Sequence, residues 1–172
     1  MKKIVIIGAL GYLGTELCRI YSGESWRNKI IALDSRFISE RVSQLKDWNV
    51  EFFQGHILDQ KFLDDHLKDA DVIHHLAGIT DVAYVKTKAN SELDKKIESI
   101  GINGTNNILK SIPSTCKIIF PSTHVVFEGL EKAKENIEED EKPRPVLMYS
   151  SSKVQNEIDI KNSKNDYVIL RL

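Results

Sequence analysis

The sequence predicts an α/β protein built on a doubly wound parallel sheet with helices on both faces. Two observations favour this class. Short apolar runs alternate with segments of helical periodicity, and the first run, residues 4–7, leads straight into glycines at positions 8, 11 and 14. Apolar runs of this length are typical of strands buried on both faces, and such strands are joined by right-handed helical crossovers. Ligands of such sheets bind beyond the carboxyl ends of the strands, so we expect a functional site there.

The first 34 residues predict that site in most detail, because they contain a strand, a glycine turn, a helix, a second strand and an acid. Gly8 allows the tight turn, Gly11 allows a pyrophosphate to approach the backbone, and Gly14 allows close packing of helix on strand. The unpaired N–H groups at the start of a helix favour an anion. Asp34 can accept hydrogen bonds from an adenosine ribose. This combination predicts a dinucleotide site.

The same alternation continues to the end of the chain. We predict strands at residues 4–7, 30–33, 50–53, 71–76, 116–120 and 167–172. We predict a first helix with Leu13, Leu17, Ile20 and Tyr21 on one side, a short amphipathic helix within 35–48 with apolar residues at Phe37, Ile38, Val42 and Leu45, and helices at 60–68 (capped by Asp59), 91–111 and 148–162. Residues 79–94 are polar and are expected to form a loop that enters the helix at 91–111, and the highly charged residues 130–144 are expected to form a solvated surface loop.

Two features inside these elements carry specific expectations. His74 and His75 are adjacent on a strand and should point to opposite faces, which makes them a poor metal site. We expect one to be satisfied in the core and the other to lie near the cofactor. Gly101 and Gly104 fall inside the helix 91–111, where glycine costs stability, so they should mark a close approach of another helix or of a ligand.

Length and composition limit the possible functions. A chain of 172 residues predicts one domain, and its net charge of −1 gives no basic field for nucleic acid. Cys18 and Cys116 lie far apart and outside metal-like spacing, which favours two reduced thiols in a cytoplasmic protein and no metal site. The opening apolar run is too short for a signal peptide, and no stretch is long enough to span a bilayer.

A catalytic group is suggested by Tyr149 and Lys153, which share one face of the predicted helix at 148–162. A nearby ammonium favours the phenolate, so we expect Lys153 to lower the pKa of Tyr149. Tyr149 could then act as general acid/base on a sugar hydroxyl while hydride leaves the carbon, and Lys153 could also hold a ribose hydroxyl. Thr123, at the end of the fifth strand, could hydrogen-bond the same substrate oxygen.

These motifs resemble the extended short-chain dehydrogenase/reductase superfamily, in particular its NAD-dependent epimerase/dehydratase group. The matching segments follow the family's order over nearly the whole chain: GALGYLG (8–14), Asp34, HLAG (75–78), GTNN (104–107), PSTHVVFEG (121–129), YSSSK (149–153) and Glu157. The resemblance implies a Rossmann fold, bound NAD or NADP, a nucleotide-sugar substrate and a catalytic set of Thr123, Tyr149 and Lys153. It also implies homodimers formed through the helices after strands four and five.

From the motif and the strand ends together we expect residues 1–172 to form an NAD(P)-binding domain, truncated before the substrate-binding lobe that the resemblance implies. NAD is expected rather than NADP because Asp34 would repel a 2′-phosphate, although Arg36 could pair with one. The predicted cofactor-binding residues are Gly8, Gly11, Tyr12, Leu13, Gly14, Asp34, Ser35, Arg36, His56, Ile57, Leu76, Ala77, Gly78, Tyr149 and Lys153.

Several positions depart from the family pattern. His56 stands where the family usually has an aspartate that contacts adenine, and Gly101 replaces a frequent asparagine, for which Asn103 or Asn107 could substitute. His124 and Val125 replace the Asp-Glu pair of the nucleotide-sugar 4,6-dehydratases, which argues against water elimination.

Three functions follow from these comparisons. The first is an NAD-dependent nucleotide-sugar epimerase or a close relative. The second is a 4-ketoreductase of the dTDP-4-dehydrorhamnose reductase type, suggested by the V-F-E-G run at 126–129. The third is a non-catalytic dinucleotide-binding module without a substrate lobe.

Overall fold

The computed structural model describes residues 1–80, 91–131 and 135–172, and these form one six-stranded parallel sheet in the order β3-β2-β1-β4-β5-β6. The strands are β1 (Lys2–Ile7), β2 (Asn28–Asp34), β3 (Glu51–Gln54), β4 (Val72–His75), β5 (Lys117–Ser122) and β6 (Tyr167–Arg171). The helices are α1 (Tyr12–Ser22), α2 (Ser39–Asp47), α3 (Gln60–Leu67), α4 (Ser91–Glu98), α5 (Gly104–Ser111) and α6 (Met148–Asn162). The predicted fold class is confirmed. Strands are added toward one edge of the sheet from β1 to β3 and toward the other edge from β4 to β6, so the direction changes between β1 and β4.

Two hydrophobic cores lie on opposite faces of this sheet. Within β1, Val5 and Ile7 belong to one core, whereas Ile4 and Ile6 belong to the other. A strand with apolar residues on both faces must be covered on both, which is why its sequence is continuously apolar. The first core is covered by α3, α5 and α6, and the second by α1 and α2.

The predicted buried face of α1 is partly wrong. Leu13 is 49% exposed and Ile20 is 55% exposed, whereas the fully buried residues of the helix are Gly14 and Cys18. Gly14 sets this orientation, since the absence of its side chain brings that side of the helix against the preceding turn. A Cβ at position 14 would lie 2.4 Å from the carbonyl oxygen of Gly8.

The helix predicted within 35–48 begins only at Ser39. The Asp34 carboxylate accepts the backbone N–H of Arg36 at 3.0 Å, and this local turn keeps residues 34–36 out of helical geometry. Phe37 therefore precedes the helix and is 61% exposed, with its ring at an edge contact to Phe52. Leu45 is buried as expected for the apolar face of α2.

The segment 91–111 is helical throughout, as predicted, but a π-helical turn at Ser99–Asn103 separates α4 from α5. A π turn widens the helix locally and shifts the phase of its faces, which accounts for the imperfect apolar periodicity of this segment. The prediction that the glycines mark close approaches is confirmed. A Cβ on Gly101 would lie 3.3 Å from the Ser152 hydroxyl on α6, and one on Gly104 would collide with the Ile57 side chain.

Both histidines of β4 are buried, and they point to opposite faces as predicted. The Nε2 of His74 lies 2.8 Å from the Tyr21 hydroxyl, and the Nε2 of His75 lies 2.8 Å from the Thr105 hydroxyl. Because Thr105 already donates to the carbonyl oxygen of Gly101, His75 is the donor in its pair. Neither histidine is among the cavity-lining residues described below, so the expectation that one lies near the cofactor gains no support and stays a prediction.

The structure also bears on the expectations for the cysteines, for membrane-spanning segments and for the two loops. Cys18 and Cys116 are buried free thiols, and within residues 1–80, 91–131 and 135–172 no three His, Cys, Asp or Glu side chains form a metal-binding group. Across the same residues, no helix combines the length and apolar character that crossing a membrane requires. Most of the loop predicted at 79–94 and part of the charged loop at 130–144 lie outside the described residues.

Candidate functional site

The glycine turn after β1 is shaped by backbone contacts that only glycine permits. Gly8 adopts a positive φ of 87°, and a Cβ there would lie 2.7 Å from the backbone nitrogen of Ala77. The N–H groups of Gly8 and Ala9 donate to the carbonyl oxygen of Leu33 at 2.8 and 3.1 Å, which ties the turn to the end of β2. The turn is therefore closely packed on the sheet side.

Helix α1 begins at the open side of this turn. Gly11 is its N-cap, and no side chain caps the first helical N–H groups. Uncapped N–H groups and the positive end of the helix dipole favour a phosphate at this position. This geometry fits a dinucleotide. A Cβ added at Gly11 would lie 3.9 Å from the Arg36 guanidinium, so a side chain there would occupy the space beside the turn.

Asp34, at the end of β2, is buried and held from three directions. Its carboxylate accepts the backbone N–H of Leu10 at 2.9 Å and forms a bidentate ion pair with the Arg36 guanidinium, with both N···O distances at 3.0 Å. Burial by itself raises the pKa of Asp34, but the hydrogen bonds from Arg36 and the backbone outweigh it, so the pKa lies below its ordinary value. Asp34 is thus ionised near neutral pH.

The turn after β3 contributes His56 and Ile57. The Nδ1 of His56 accepts the backbone N–H of Leu58 at 3.1 Å, and the carbonyl oxygen of His56 accepts the N–H of Asp59 at 2.9 Å. The Asp59 side chain in turn caps α3, as predicted, through the N–H of Phe62 at 3.0 Å. Asn107 donates to the carbonyl oxygen of Ile57 at 3.3 Å, so it faces this turn.

A single cavity of about 630 Å³ joins these strand ends, a volume typical of small-molecule sites. Every predicted site residue lines it: Gly8, Gly11, Tyr12, Leu13, Gly14, Asp34, Ser35, Arg36, His56, Ile57, Leu76, Ala77, Gly78, Thr123, Tyr149 and Lys153. Neither Asn103 nor Asn107 lines it, so the structure gives no support to either as a substitute for the asparagine that Gly101 replaces. The structure thus brings the predicted residues together, and their individual roles stay predictions.

Sequence reasoning missed several residues of the cavity, among them Thr80, Ile100, Pro121 and Leu172. Ile100 lies in the π-helical turn, whose position no sequence pattern indicated. Thr80 follows the HLAG motif by two residues, and that proximity was the one available signal. Ile100, Pro121 and Leu172 are apolar and give no chemical signal in a sequence, because only the fold places them at the cavity.

Tyr149 is buried at the first turn of α6, with the side-chain hydroxyls of Thr123 and Thr80 within hydrogen-bonding reach. Burial raises the pKa of Tyr149 above its ordinary value, and the hydrogen bonds with Thr123 and Thr80 offset this only in part. The prediction of a lowered pKa is therefore wrong in this structure. Desolvation penalises the phenolate more than the neighbouring groups stabilise it.

Lys153 is bound to β5, and it is not among the groups that shift the pKa of Tyr149. Its Nζ donates to the carbonyl oxygen of Pro121 at 3.0 Å and lies 4.5 Å from the centre of the Phe120 ring, so its charge is held against β5. Burial lowers the pKa of Lys153 to about 8, although Glu157 partly counteracts the effect. An ammonium that titrates near neutral pH is unusual outside functional sites.

We expect Lys153→Met to stabilise the chain at pH 7. Because the folded-state pKa of about 8 lies below the ordinary lysine value, the charged side chain opposes folding, and stability should rise with pH between about 8 and 10.5. One pKa unit corresponds to about 1.4 kcal/mol, so the gain should be on the order of 1–3 kcal/mol. Urea unfolding at pH 7 and pH 10 measures both effects, with exposed Lys164→Met as control. Destabilisation by Lys153→Met at pH 7 would show that Lys153 is mainly structural.

Two carboxylates, those of Glu157 and Glu128, hold α6 in place. Glu157 on α6 accepts the Ser122 hydroxyl at 2.6 Å and pairs with Arg171 at 2.8 Å, which fastens α6 to β5 and β6. Glu128 accepts the backbone N–H groups of Val146 and Leu147 at 2.7 and 2.6 Å and also binds the Ser150 hydroxyl. Glu128 therefore fixes the start of α6, where Tyr149 lies.

Comparison with known proteins finds relatives of this chain. The chain is 29% identical to a dTDP-D-glucose 4,6-dehydratase of Dictyostelium discoideum over 97% of its own length and 37% of the relative's. UDP-glucuronic acid 4-epimerase from Bacillus cereus, solved in complex with UDP-glucuronic acid and NAD, is 26% identical with a TM-score of 0.77, over 98% of this chain and 55% of that one.

UDP-glucose 4-epimerase from Brucella ovis, solved with NAD, has a TM-score of 0.79 over 99% of this chain and 51% of that one. At 21% identity it shows likeness of fold alone. The chain thus spans about a third of the Dictyostelium relative and about half of the two solved structures.

The family model described as the 3-beta hydroxysteroid dehydrogenase/isomerase family matches residues 5–169, which is nearly the whole chain. The matched region includes the glycine turn, Asp34, Thr123, Tyr149 and Lys153. The chain therefore belongs to the 3-beta hydroxysteroid dehydrogenase/isomerase family, within the extended short-chain dehydrogenase/reductase superfamily.

Proposed function

We propose that this chain is the dinucleotide-binding part of an NAD-dependent nucleotide-sugar epimerase or a close relative. One observation carries the proposal: a single cavity joins the glycine turn, the buried acid Asp34 and the hydroxyls of Thr123 and Tyr149. The solved epimerase from Bacillus cereus, with its nucleotide sugar and NAD, supports the same class of reaction. The relatives are longer than this chain, so we also propose that the whole protein has a substrate-binding lobe.

The residues present fit the roles that this reaction requires. The uncapped start of α1 would hold the pyrophosphate, and Asp34 would accept hydrogen bonds from the adenosine ribose. When bound, the nicotinamide supplies a hydride acceptor and donor. Tyr149 would take the proton of a sugar hydroxyl, Thr123 would hydrogen-bond the same oxygen, and Lys153 would hold a ribose hydroxyl and favour the phenolate.

Water elimination is less well supported, despite the dehydratase relative. That reaction needs an additional acid and base beside the sugar, and the residues after Thr123 are His124 and Val125. The Nδ1 of His124 lies 2.8 Å from the carbonyl oxygen of Leu172, so the ring is bound to the end of β6. A nucleotide-sugar 4-ketoreductase is the second candidate, and net consumption of reduced nicotinamide with a keto-sugar nucleotide would separate it from an epimerase.

We expect NAD to bind at least about tenfold more tightly than NADP, because like charges juxtaposed in a binding site cost more than a kcal/mol. The repulsion comes from the buried, ionised Asp34 carboxylate. Calorimetric titration of the chain with each dinucleotide measures the difference, and Asp34→Ala should narrow it. Tighter binding of NADP would mean that Arg36 recruits the 2′-phosphate and would overturn the assignment.

The assembly and location of the protein are also proposals. The implied homodimer would form through α4, α5 and α6, the helices after β4 and β5. A cytoplasmic location is supported by the two buried free thiols, Cys18 and Cys116.

A further inference from the structure

We propose that the Thr80 hydroxyl donates a hydrogen bond to the Tyr149 phenolate, which leaves the single hydrogen of the Thr123 hydroxyl for the substrate oxygen. The inference rests on the proposed function and adds a residue to its site. Thr80 acts through Tyr149, so it is a positioning residue and not a second acid/base group.

Three hydroxyl groups from separate segments of the chain meet at the cavity. Thr80 lies in the segment after β4, Thr123 follows β5 directly, and Tyr149 lies in the first turn of α6. Strands β4 and β5 are neighbours, so their carboxyl ends bring the two threonines to the same edge of the sheet. All three residues line the cavity, and both threonine hydroxyls are within hydrogen-bonding reach of the Tyr149 side chain.

The Thr123 hydroxyl has too few hydrogens to bind the phenolate and the substrate together. A threonine hydroxyl has one hydrogen to donate and two lone pairs with which to accept. One lone pair of Thr123 Oγ1 accepts the backbone N–H of Val125 at 3.2 Å. Its one hydrogen can go either to the phenolate or to the substrate oxygen, where it would stabilise developing charge. A phenolate that acts as base beside this substrate therefore needs another donor.

Lys153 does not supply that donor in this structure. Its Nζ donates to the carbonyl oxygen of Pro121 at 3.0 Å. Burial raises the pKa of Tyr149, and the groups that lower it are Thr123 and Thr80, through hydrogen bonds. With the hydrogen of Thr123 given to the substrate, the Thr80 hydroxyl is the one of these two that still favours the phenolate.

The surroundings of Tyr149 make the hydrogen bond from Thr80 effective. Tyr149 is 9% exposed, so water stabilises its phenolate only weakly. Hydrogen bonds to a charged acceptor are stronger than neutral ones, and a low local dielectric strengthens them further. Thr80 itself is exposed, so replacing its hydroxyl by a methyl group disturbs no packed core. Loss of that hydroxyl should therefore be measurable at the phenol while the fold persists.

The test measures the ionisation of residue 149 by fluorine NMR, in protein whose tyrosines are replaced by 3,5-difluorotyrosine. The fluorinated phenol ionises at lower pH than tyrosine, and the signal that Tyr149→Phe removes belongs to residue 149. Thr80→Val removes the hydroxyl and keeps the shape of the side chain, whereas Thr80→Ser keeps the hydroxyl. Thr115→Val is the matched control, because Thr115 is exposed and outside the cavity lining.

We expect Thr80→Val to raise the pKa of residue 149 by about one pH unit, because the phenolate loses a hydrogen bond that it accepts. Thr80→Ser and Thr115→Val should leave this pKa within about 0.3 of the wild-type value. A rise of less than about half a pH unit in Thr80→Val, or an equal rise in Thr80→Ser, would overturn the inference. Should Thr80→Val fail to fold, Thr80→Ala removes the same hydroxyl and is judged by the same limits.

Kinetics of the full-length protein separate this inference from the proposed function. In an active protein, Thr80→Val should lower kcat up to about tenfold near neutral pH and leave the KM of the sugar nucleotide within about twofold, since one pH unit corresponds to tenfold less phenolate. A loss confined to KM would show that Thr80 binds the substrate and would overturn the inference. A protein that turns over no sugar nucleotide would overturn the proposed function, and the fluorine titration would still decide whether Thr80 stabilises the phenolate.

Discussion

Tyr149→Phe is expected to lower kcat by about 10³-fold while the dissociation constant of NAD changes by less than about twofold, because general acid/base groups contribute roughly 10²–10⁴ in rate. The substitution removes the hydroxyl and keeps the ring, which is buried at the start of α6. The rate at which the full-length protein interconverts UDP-sugars or dTDP-sugars gives kcat. Calorimetry gives the dissociation constant of NAD.

Tyr167→Phe is the matched control, since Tyr167 lies at the start of β6 and is exposed. It should keep the wild-type rate. Because burial raises the pKa of Tyr149, the wild-type rate should also increase with pH wherever loss of the phenolic proton limits the reaction. An active protein in which Tyr149→Phe keeps its full rate would exclude Tyr149 as the general acid/base. A protein that binds NAD but turns over no sugar nucleotide would favour the non-catalytic module.

The largest effect on stability and cofactor binding is expected for Gly8→Ala. An alanine there must adopt a φ near 87° and bring its Cβ to 2.7–3.0 Å from backbone atoms of Leu76 and Ala77. Backbone strain of this kind costs about 1–3 kcal/mol, and the contact with Ala77 adds to it, so we expect a loss of roughly 3 kcal/mol in the free energy of unfolding. NAD binding should weaken by at least about a hundredfold, since the turn must move from the place that we propose for it beneath the phosphates.

Gly23→Ala provides the control for this substitution. Gly23 has a φ of −63°, and a Cβ there would lie 3.5 Å from its nearest neighbour, an ordinary contact. Its unfolding free energy should stay within about 0.5 kcal/mol of the wild type. Urea denaturation compares the two variants. A Gly8→Ala protein of wild-type stability and affinity would show that the turn does not need the geometry described above.

Much of the fold was predictable because its signals are local. The strand-turn-helix pattern around Gly8 follows from the stereochemistry of glycine and from apolar runs a few residues long. The bounds of α6, residues 148–162, were predicted without error, and the Asp59 cap was predicted from one side chain and its position. The π-helical turn before Gly104 left only a trace, the imperfect periodicity of residues 91–111.

The residues of the candidate site were predicted better than their protonation states and hydrogen-bond partners. Asp34, Thr123, Tyr149 and Lys153 all line one cavity, because strand ends of a parallel sheet meet at one edge. The raised pKa of Tyr149 and the attachment of the Lys153 ammonium to Pro121 were not predicted. An i, i+4 spacing shows that two side chains share a face, but it does not show what else each one contacts.

The sequence by itself determined the order of strands and helices, the glycine turn and the identity of the chemical groups at the strand ends. The tertiary structure alone decided which face of α1 is buried, which protonation state burial favours at Tyr149 and Lys153, and which backbone N–H the Nδ1 of His56 accepts. The physical reason is range: dihedral preferences and periodicity act over a few residues, whereas desolvation and hydrogen-bond partners depend on the three-dimensional surroundings of each group. Segments distant in the chain, such as β5 beside Lys153 and Asp34 beside Gly55, supply much of those surroundings.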